Sequence, residues 1–226
     1  YIIMKKQSLA AAFLAGALVL SSCGASNAVK GAGIGAAGGA AIGAGIGRVL
    51  GNTAVGAVIG GVVGGTAGTL IGKKMDKQKK ELERDVKDAK IESVNDGQAI
   101  RVTFDSGILF ATGSASLSST SQATLRKFAA NLSEHSDTDL MIIGHTDNTG
   151  TDRVNNPLSY NRAASVRSFL AGQGVSSSRM KVEGKGSYEP VADNSTVAGR
   201  RENRRVEVYI LPSKEMVKAA QDGTLR

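Results

Sequence analysis

The sequence predicts an α+β domain, a mixed β-sheet with helices on one face, preceded by a glycine-rich helical hairpin. Two observations predict this division. Between residues 98 and 212, segments with the apolar alternation of strands exchange with segments of helical periodicity. Between residues 31 and 72, glycine recurs at every fourth position in two series. A chain of 226 residues fits one folded domain with accessory segments.

The order of elements in residues 98–212 defines the predicted sheet. Strands are predicted at 99–104, 140–144, 180–183 and 205–211, and helices at 120–132 and 158–170. Pro157 suits the first position of the second helix, with Asn155 or Asn156 as its cap. Strand–helix–strand–helix followed by strands predicts a mixed sheet with its helices packed on one face.

The two glycine series predict a membrane hairpin over residues 31–72. Each half is about 20 residues, or roughly 30 Å if helical, which matches a bilayer core. Arg48 is the one charge between the first and last of these glycines, and glycine at every fourth position lets two helices approach closely in lipid. A flexible Gly/Ala linker is the alternative. The glycines are Gly31, Gly35, Gly39, Gly43, Gly47, Gly51, Gly56, Gly60, Gly64, Gly68 and Gly72.

The first 30 residues have the pattern of a secretion signal. Lys5 and Lys6 follow Met4, the expected translation start, and precede an apolar run at 9–20. The end of the run, Leu-Ser-Ser-Cys, resembles the bacterial lipobox, so residues 1–22 are expected to be removed and Cys23 to be lipidated. An ordinary signal peptide with a chance cysteine is the alternative. Residues 23–30 would then be a lipidated tether, and lipidation would leave no free thiol for other chemistry.

The segments that flank the domain are polar. Residues 73–97 are dense in both charges and carry Leu82 and Val86 at helical spacing, which predicts a solvated helical stalk. Lys77–Glu81 and Lys79–Glu83 are expected i,i+4 pairs along it. Residues 213–226 are expected to form a short polar tail, with or without a helix, that is frayed rather than packed.

Composition disfavours two function classes. The formal charge is +8, but aromatics are 4% and tryptophan is absent, so stacking surfaces for nucleic acid are not available. A basic balance suits the anionic surfaces of a cell envelope. His145 and Asp147 are accompanied by no nucleophile elbow and no metal-binding set, so no enzyme activity, cofactor or metal is expected.

The richest motif is the loop at residues 144–150, Gly-His-Thr-Asp-Asn-Thr-Gly, after the apolar strand at 140–144. Asp147 lies in this loop, and Arg162 follows fifteen residues later in the next helix. Both are expected to converge at the carboxyl end of the strand, facing a helix N-terminus that favours anions. Such a site suits a zwitterion with one ammonium and one carboxylate. Alternatively, Asp147 caps a turn and Arg162 is a surface arginine.

Matched positions run in order from about residue 100 to 211. They comprise Leu109-Phe110 with Gly113-Ser114-Ala115 and Leu117, the 144–150 loop, Asn155, Leu158-Ser159, Arg162-Ala163, Gly174-Val175, Arg179, Gly184, Gly186, Pro190, Asn194, Thr196, Gly199-Arg200 and Asn203-Arg204-Arg205-Val206-Glu207. The region resembles the βαβαβ-type peptidoglycan-binding domain shared by the OmpA C-terminus, the peptidoglycan-associated lipoprotein and the flagellar stator protein MotB. The whole chain resembles glycine-zipper outer-membrane lipoproteins of the YiaD type.

The resemblance implies specific site residues. Asp147 and Arg162 would hold the diaminopimelate of the peptidoglycan stem peptide, with Thr146, Asn155, Leu158, Phe110 and Ala111 around them. Asn155 equally suits a capping role, Phe110 suits the core, and Arg204 or Arg205 suits either the groove or a structural role. Val154 and Ala111 depart from the family pattern, which favours an aromatic residue and an acid or amide there.

The expected function is a lipoprotein that anchors the outer membrane to peptidoglycan. Gly24, rather than aspartate, after Cys23 favours the outer membrane, with the C-terminal domain facing the periplasm. Its partners would be the wall peptide and the lipid bilayer, and no nucleic acid is expected. The sequence leaves open whether the protein forms a homo-oligomer. An oligomeric assembly or pore built by the hairpin is the alternative. A stator role is disfavoured because residues 31–72 contain no aspartate.

Overall fold

The computed structural model describes residues 63–225 of the protein. The predictions on the signal peptide, Cys23, the tether and residues 31–62 of the glycine series lie outside this range. The described helices are α1 Gly65–Asp85, α2 Ser106–Leu109, α3 Ser119–Glu134, α4 Asp152–Gly172, α5 Val197–Asn203 and α6 Lys214–Gln221, with a 3-10 turn at Ser177–Arg179. The strands are β1 Ala89–Val94, β2 Ala99–Asp105, β3 Thr138–Gly144, β4 Met180–Gly184 and β5 Arg205–Pro212.

The strands form one mixed sheet in the order β1-β2-β5-β3-β4. β3 and β4 are parallel because α4 carries the chain back across the sheet between them, as parallel neighbours require. β5 lies at the centre and is antiparallel to both β2 and β3. The predicted α+β fold with a mixed sheet is confirmed.

Alternation along the strands divides their side chains between two faces. The helical side of the sheet carries Ile100, Val102 and Phe104 from β2 and Leu140 and Ile142 from β3, all at most 2% exposed. They pack with side chains of α1, α3, α4 and α6 in one core. The opposite face holds a smaller apolar cluster of Ala99, Met141, Ile143, Tyr209 and Leu211.

The strand registers define two poles of the domain. Gly144 pairs with Val206 and Gly184, and Asp105 pairs with Arg205, so these strand ends meet at what we call the Gly144 pole. Thr138 pairs with Pro212 at the other end, which we call the Thr138 pole. Ala99, at the start of β2, also lies there, because Ile100 pairs with Ile210. A seven-residue strand separates the poles by roughly 23 Å.

The predicted solvated stalk at residues 73–97 is wrong. Helix continues only to Asp85, and β1 follows as an edge strand of the sheet. α1 is docked on the domain: Ile71, Met75 and Leu82 are at most 1% exposed and belong to the core. Met75 and Leu82 lie 4 and 11 residues after Ile71, which is helical spacing. The predicted boundary at residue 73 separates Ile71 from Met75, so this apolar stripe is divided between two predicted segments.

One of the two ion pairs expected along α1 is present. Lys79 and Glu83 form the expected ion pair at 2.5 Å. Glu81 instead contacts His135, the C-cap of α3, with 2.6 Å between Oε2 and Nε2. Within residues 63–225, no helix is both apolar enough and long enough to cross a bilayer. Residues 65–72 of the expected hairpin belong to α1.

Two further differences from the predictions are the packing of the C-terminal tail and the start of α4. The expected polar tail contains α6, whose Met216 and Ala220 are at most 3% exposed against the core. α4 begins at Asp152 rather than Pro157, since the amides of Val154 and Asn155 both donate to Thr151 O at 2.9 Å. Pro157 therefore lies inside the helix.

Candidate functional site

The loop after β3 is held by its own polar groups. Asp147 Oδ1 accepts a hydrogen bond of 2.8 Å from the Thr149 amide, which closes an Asx turn. The side-chain amide of Asn155 donates to Asp147 O at 3.4 Å and Thr149 O at 3.1 Å. The Thr146 amide donates to Gly186 O at 2.8 Å. Asn155, 4% exposed, thus orients the loop from the first turn of α4.

Two glycines bring α4 against the ends of β3 and β4. A Cβ on Gly144 would lie 2.0 Å from Ser159 O, and one on Gly184 would lie 2.5 Å from the Tyr160 nitrogen. Neither position has room for a side chain, so glycine permits the helix to lie directly on the strand ends. This close approach brings Arg162, three residues after Ser159, to the same pole as Asp147.

Arg162 is a buried cation with unused hydrogen-bonding capacity. Arg162 is 3% exposed, and its guanidinium carbon lies 5.4 Å from the centre of the Phe110 ring. Nε–H donates to Ser114 O at 3.0 Å. Within the described part of the chain this is its one hydrogen bond, although a guanidinium carries five N–H donors. Its terminal nitrogens are therefore available to a ligand.

Asp147 and Arg162 do not pair with each other. Asp147 Oδ2 instead accepts from Arg204 Nη1 at 2.5 Å, and Arg204 remains 37% exposed. The sequence left Arg204 open between groove and structure. Its position could have been found from the register, because β5 lies beside β3 and Gly144 pairs with Val206, two residues after Arg204. The site is a triad of one carboxylate and two guanidinium groups.

Electrostatics keep the triad ionised. Burial acts to raise the pKa of the Asp147 carboxyl, but the hydrogen bonds from Arg204 and Thr149 outweigh it and leave that pKa below its usual value. Burial and the nearby Arg204 lower the pKa of Arg162, while Asp147 raises it. An arginine stays protonated under such perturbation. Asp147 and Arg162 therefore interact electrostatically without direct contact.

The other expected site residues occupy different environments. Phe110 is 3% exposed and packs in the core beneath the Arg162 guanidinium. Thr146 is 5% exposed, and its hydroxyl has no partner among residues 63–225. Leu158 is half-buried and Ala111 is exposed. Thr146 and Arg162 thus combine burial with free hydrogen-bonding capacity.

A second loop flanks the Asp147 loop. Asn203, fully buried at the end of α5, accepts from the amides of Val191 and Ala192 at 2.7 and 2.9 Å. Its side-chain nitrogen donates to Asn194 Oδ1 at 2.8 Å. The same Asn194 oxygen accepts from the Asn148 amide at 3.3 Å. The Asn203-Arg204 pair therefore fixes one loop with its first side chain and Asp147 with its second.

A buried polar cluster adjoins the Asp147 loop through His145, which lies two residues before Asp147. Glu207 accepts from Arg205 Nε at 2.7 Å and from the Tyr209 hydroxyl at 2.8 Å. His145 Nε2 lies 3.8 Å from Glu207. Burial, assisted by Arg205, lowers the pKa of His145 to about 3, although Glu207 opposes the shift. His145 is therefore neutral at pH 7. It is 1% exposed, so its side chain does not reach the surface where a ligand would bind.

A cleft of about 400 Å³ lies over β1, β2 and β5 on the sheet face away from the helices and is a rival site. Its charged lining is largely paired internally: Arg101 with Glu92, Arg201 with Asp105 and Arg205 with Glu207. A ligand would have to displace these pairs. The lining residues are Asp88, Lys90, Glu92, Arg101, Thr103, Asp105, Val191, Arg201, Glu202, Arg205 and Glu207.

The Asp147 site is therefore better suited to recognition. It presents a carboxylate acceptor and a cation with free planar donors on one rigid framework, which fits a ligand bearing an ammonium and a carboxylate. Among the described residues, no cluster of three or more metal-ligating side chains occurs.

Known proteins match this chain in two regions. Residues 109–204 match the OmpA family, and residues 4–76 match the YMGG-like Gly-zipper family. The probable lipoprotein YiaD of Escherichia coli is 36% identical over 61% of this chain and 63% of its own length. The peptidoglycan-binding protein ArfA of Mycobacterium tuberculosis is 38% identical over 50% of this chain and 34% of its own length. The chain thus spans less than two thirds of either relative.

A solved structure agrees with both the sequence and the fold. The cell wall anchor of the T6SS from Pseudomonas aeruginosa superposes with a TM-score of 0.54 at 31% identity, covering 59% of this chain and 96% of that one. Residues 109–204, which match the OmpA family, contain β3, α4, β4 and the Asp147 loop. These residues of the chain are therefore similar to the OmpA family.

Proposed function

We propose that this chain is a non-catalytic outer-membrane lipoprotein that anchors the membrane to the cell wall by binding diaminopimelate of peptidoglycan stem peptides. The observation that carries the proposal is the buried Arg162 guanidinium, which uses one of its five donors and lies near an ionised Asp147. The names of two relatives, a probable lipoprotein and a peptidoglycan-binding protein, support it.

The ligand chemistry follows from the charges of the site. Diaminopimelate built into a stem peptide keeps an ammonium and a carboxylate at its free end. The Arg162 fork would donate to that carboxylate in a bidentate arrangement. Asp147, which already accepts from Arg204 and Thr149, has lone pairs left for the ammonium. The Thr146 hydroxyl, unpartnered among the described residues, is a third candidate contact.

Arg204 would adjust to the ligand. In the ligand-free site its guanidinium occupies one oxygen of Asp147, and its 37% exposure leaves it room to move. It can then either remain on Asp147 or turn to the incoming carboxylate. Either way, two cations and one anion become three cations and two anions when the zwitterion binds. The net charge of the occupied triad is unchanged by the neutral ligand, while each ligand charge gains an opposite partner.

The expected affinity of one site is modest. A hydrogen bond to a charged group contributes about 1.5–3 kcal/mol when well placed, and association costs several kcal/mol. The wall is a polymer of repeated sites, and a lipidated protein would be held beside it. High effective concentration would then maintain the link without tight binding at any single site.

Cosedimentation of the full-length protein with purified peptidoglycan sacculi tests the proposal. We expect Asp147→Ala and Arg162→Ala each to lose most of the bound fraction while keeping a cooperative thermal transition. Arg167→Ala is the matched control, because Arg167 lies five residues further along α4 and makes only a 3.5 Å contact with Ser177 O. Equal sedimentation of wild type and both site variants would refute the proposal.

A further inference from the structure

The chain is fastened to the domain before α1 begins. The Gln98 side chain forms two hydrogen bonds with the backbone of Val63: it accepts from the Val63 amide and donates to the Val63 carbonyl, both at 2.9 Å. Gln98 is 5% exposed, and the Val63 side chain packs on the core. We call Val63, Gln98 and Gly68 the Gln98 clamp.

Glycine is required inside this clamp. A Cβ on Gly68 would lie 1.9 Å from Val63 O and 2.8 Å from the Gln98 nitrogen. Gly65 has φ of +68°, a conformation that lets the chain turn back over the start of α1. Gly72, the next member of the glycine series and also in α1, has nothing within 4 Å of its Cβ position. Gly68 therefore serves packing within the domain and Gly72 does not.

The clamp lies at the pole opposite the candidate site. Gln98 immediately precedes Ala99, which lies at the Thr138 pole, whereas Asp147 and Arg162 lie at the Gly144 pole. α1 runs the length of the domain between them, because it leads through Asp88 to Ala89, which pairs with Phe104 near the Gly144 pole. Its 21 residues correspond to roughly 30 Å.

We infer that the end of the glycine series, Val63 to Gly72, is an intramolecular docking segment that fixes the preceding chain at the pole opposite the candidate site. The glycine series is thus divided. Its last members belong to the folded domain, and the part left before the clamp, from Thr53 to residue 62, is ten residues. Ten residues reach roughly 15 Å as a helix, about half a bilayer core. A second membrane-crossing arm and a docked clamp are therefore mutually exclusive.

The consequence is directional. Whatever holds the first 62 residues pulls on one pole, and whatever binds Asp147 and Arg162 pulls on the other. α1 packs on the core along its length and therefore connects the two poles rigidly. The inference does not depend on the identity of the ligand.

A pair of glycine substitutions in the full-length protein tests the clamp. Alanine favours helix over glycine at both positions. Gly72→Ala should raise Tm by about 2–4 °C, since its Cβ meets nothing. Gly68→Ala should lower Tm, because its Cβ would push Val63 O out of the clamp. A Tm for Gly68→Ala equal to or above that of Gly72→Ala overturns the inference. If Gly68→Ala does not fold, the hydrogen exchange of Gln98→Leu decides between support and refutation.

Hydrogen exchange of the Gln98→Leu variant gives an independent readout. Leucine keeps the volume but loses both hydrogen bonds, so amides in residues 63–70 should exchange at least about tenfold faster, while residues 144–162 stay unchanged. Gln173→Leu, at the exposed end of α4, is the control. Unchanged exchange at 63–70, or equal acceleration at both poles, overturns the clamp. Sacculus binding by Gln98→Leu should match wild type, so loss of the proposed function and loss of the clamp are distinguishable.

Discussion

Replacing Arg162 by lysine tests how the candidate site recognises a carboxylate. Lysine keeps the positive charge near Asp147 but loses the planar fork, the Nε–H bond to Ser114 O and the stacking over Phe110. Each charge-assisted hydrogen bond contributes about 1.5–3 kcal/mol. Loss of one ligand bond from a bidentate pair therefore predicts a dissociation constant roughly 10- to 150-fold larger, at tenfold per 1.4 kcal/mol.

Calorimetry with a muropeptide that carries diaminopimelate measures this effect. Asp147 keeps its bond from Arg204, so the loop should stay ordered and Tm should change by only a few degrees. Arg167→Lys is the control for the same substitution on the same helix. A dissociation constant within twofold of wild type would show that no planar donor pair contacts the ligand, and the reasoning would fail.

Three other outcomes follow from the structure. Gly144→Ala should cost about 1–3 kcal/mol of stability by urea unfolding, because its Cβ would lie 2.0 Å from Ser159 O; unchanged stability would contradict the close approach of α4. His145 should make the protein acid-labile, since between pH 6.5 and its pKa of about 3 the unfolded chain binds a proton that the folded chain does not. Wild type should therefore lose about 2 kcal/mol more than His145→Gln between pH 7 and pH 5, and parallel losses would argue against a buried neutral imidazole. A fragment beginning at residue 95 lacks α1 and β1 and their buried side chains, so it should show no cooperative thermal transition, and a sharp transition would contradict the integral role of α1.

The sheet was predictable because its elements have clear periods. Alternation at residues 99–104 and 205–211 and the apolar run at 140–144 each gave a strand within two residues of its observed ends. β1 was missed because Ala89–Val94 is an edge strand with no buried residue, and its charged sequence continues the pattern of α1. Edge strands commonly carry charges, which conceal the alternation.

The site was predictable in part. The loop motif located Asp147 and Arg162 at one pole, but spacing along the chain does not define which charges pair. Asp147 pairs with Arg204, which is 57 residues away in the sequence and adjacent only through the β3–β5 register. The start of α4 was misplaced because Pro157 is favoured in a first helical turn, whereas tertiary contacts of Ser159 and Tyr160 at the glycine strand ends hold the helix through it. These contacts are not readable from local sequence.

The comparison of two wall peptides tests the central claim most directly. Calorimetry would measure the dissociation constant of the wild-type protein for a stem peptide that contains diaminopimelate and for the same peptide with lysine at that position. Both ligands offer an ammonium to Asp147, but only diaminopimelate offers a carboxylate to Arg162. The account predicts at least roughly tenfold weaker binding of the lysine peptide. Equal dissociation constants would contradict it.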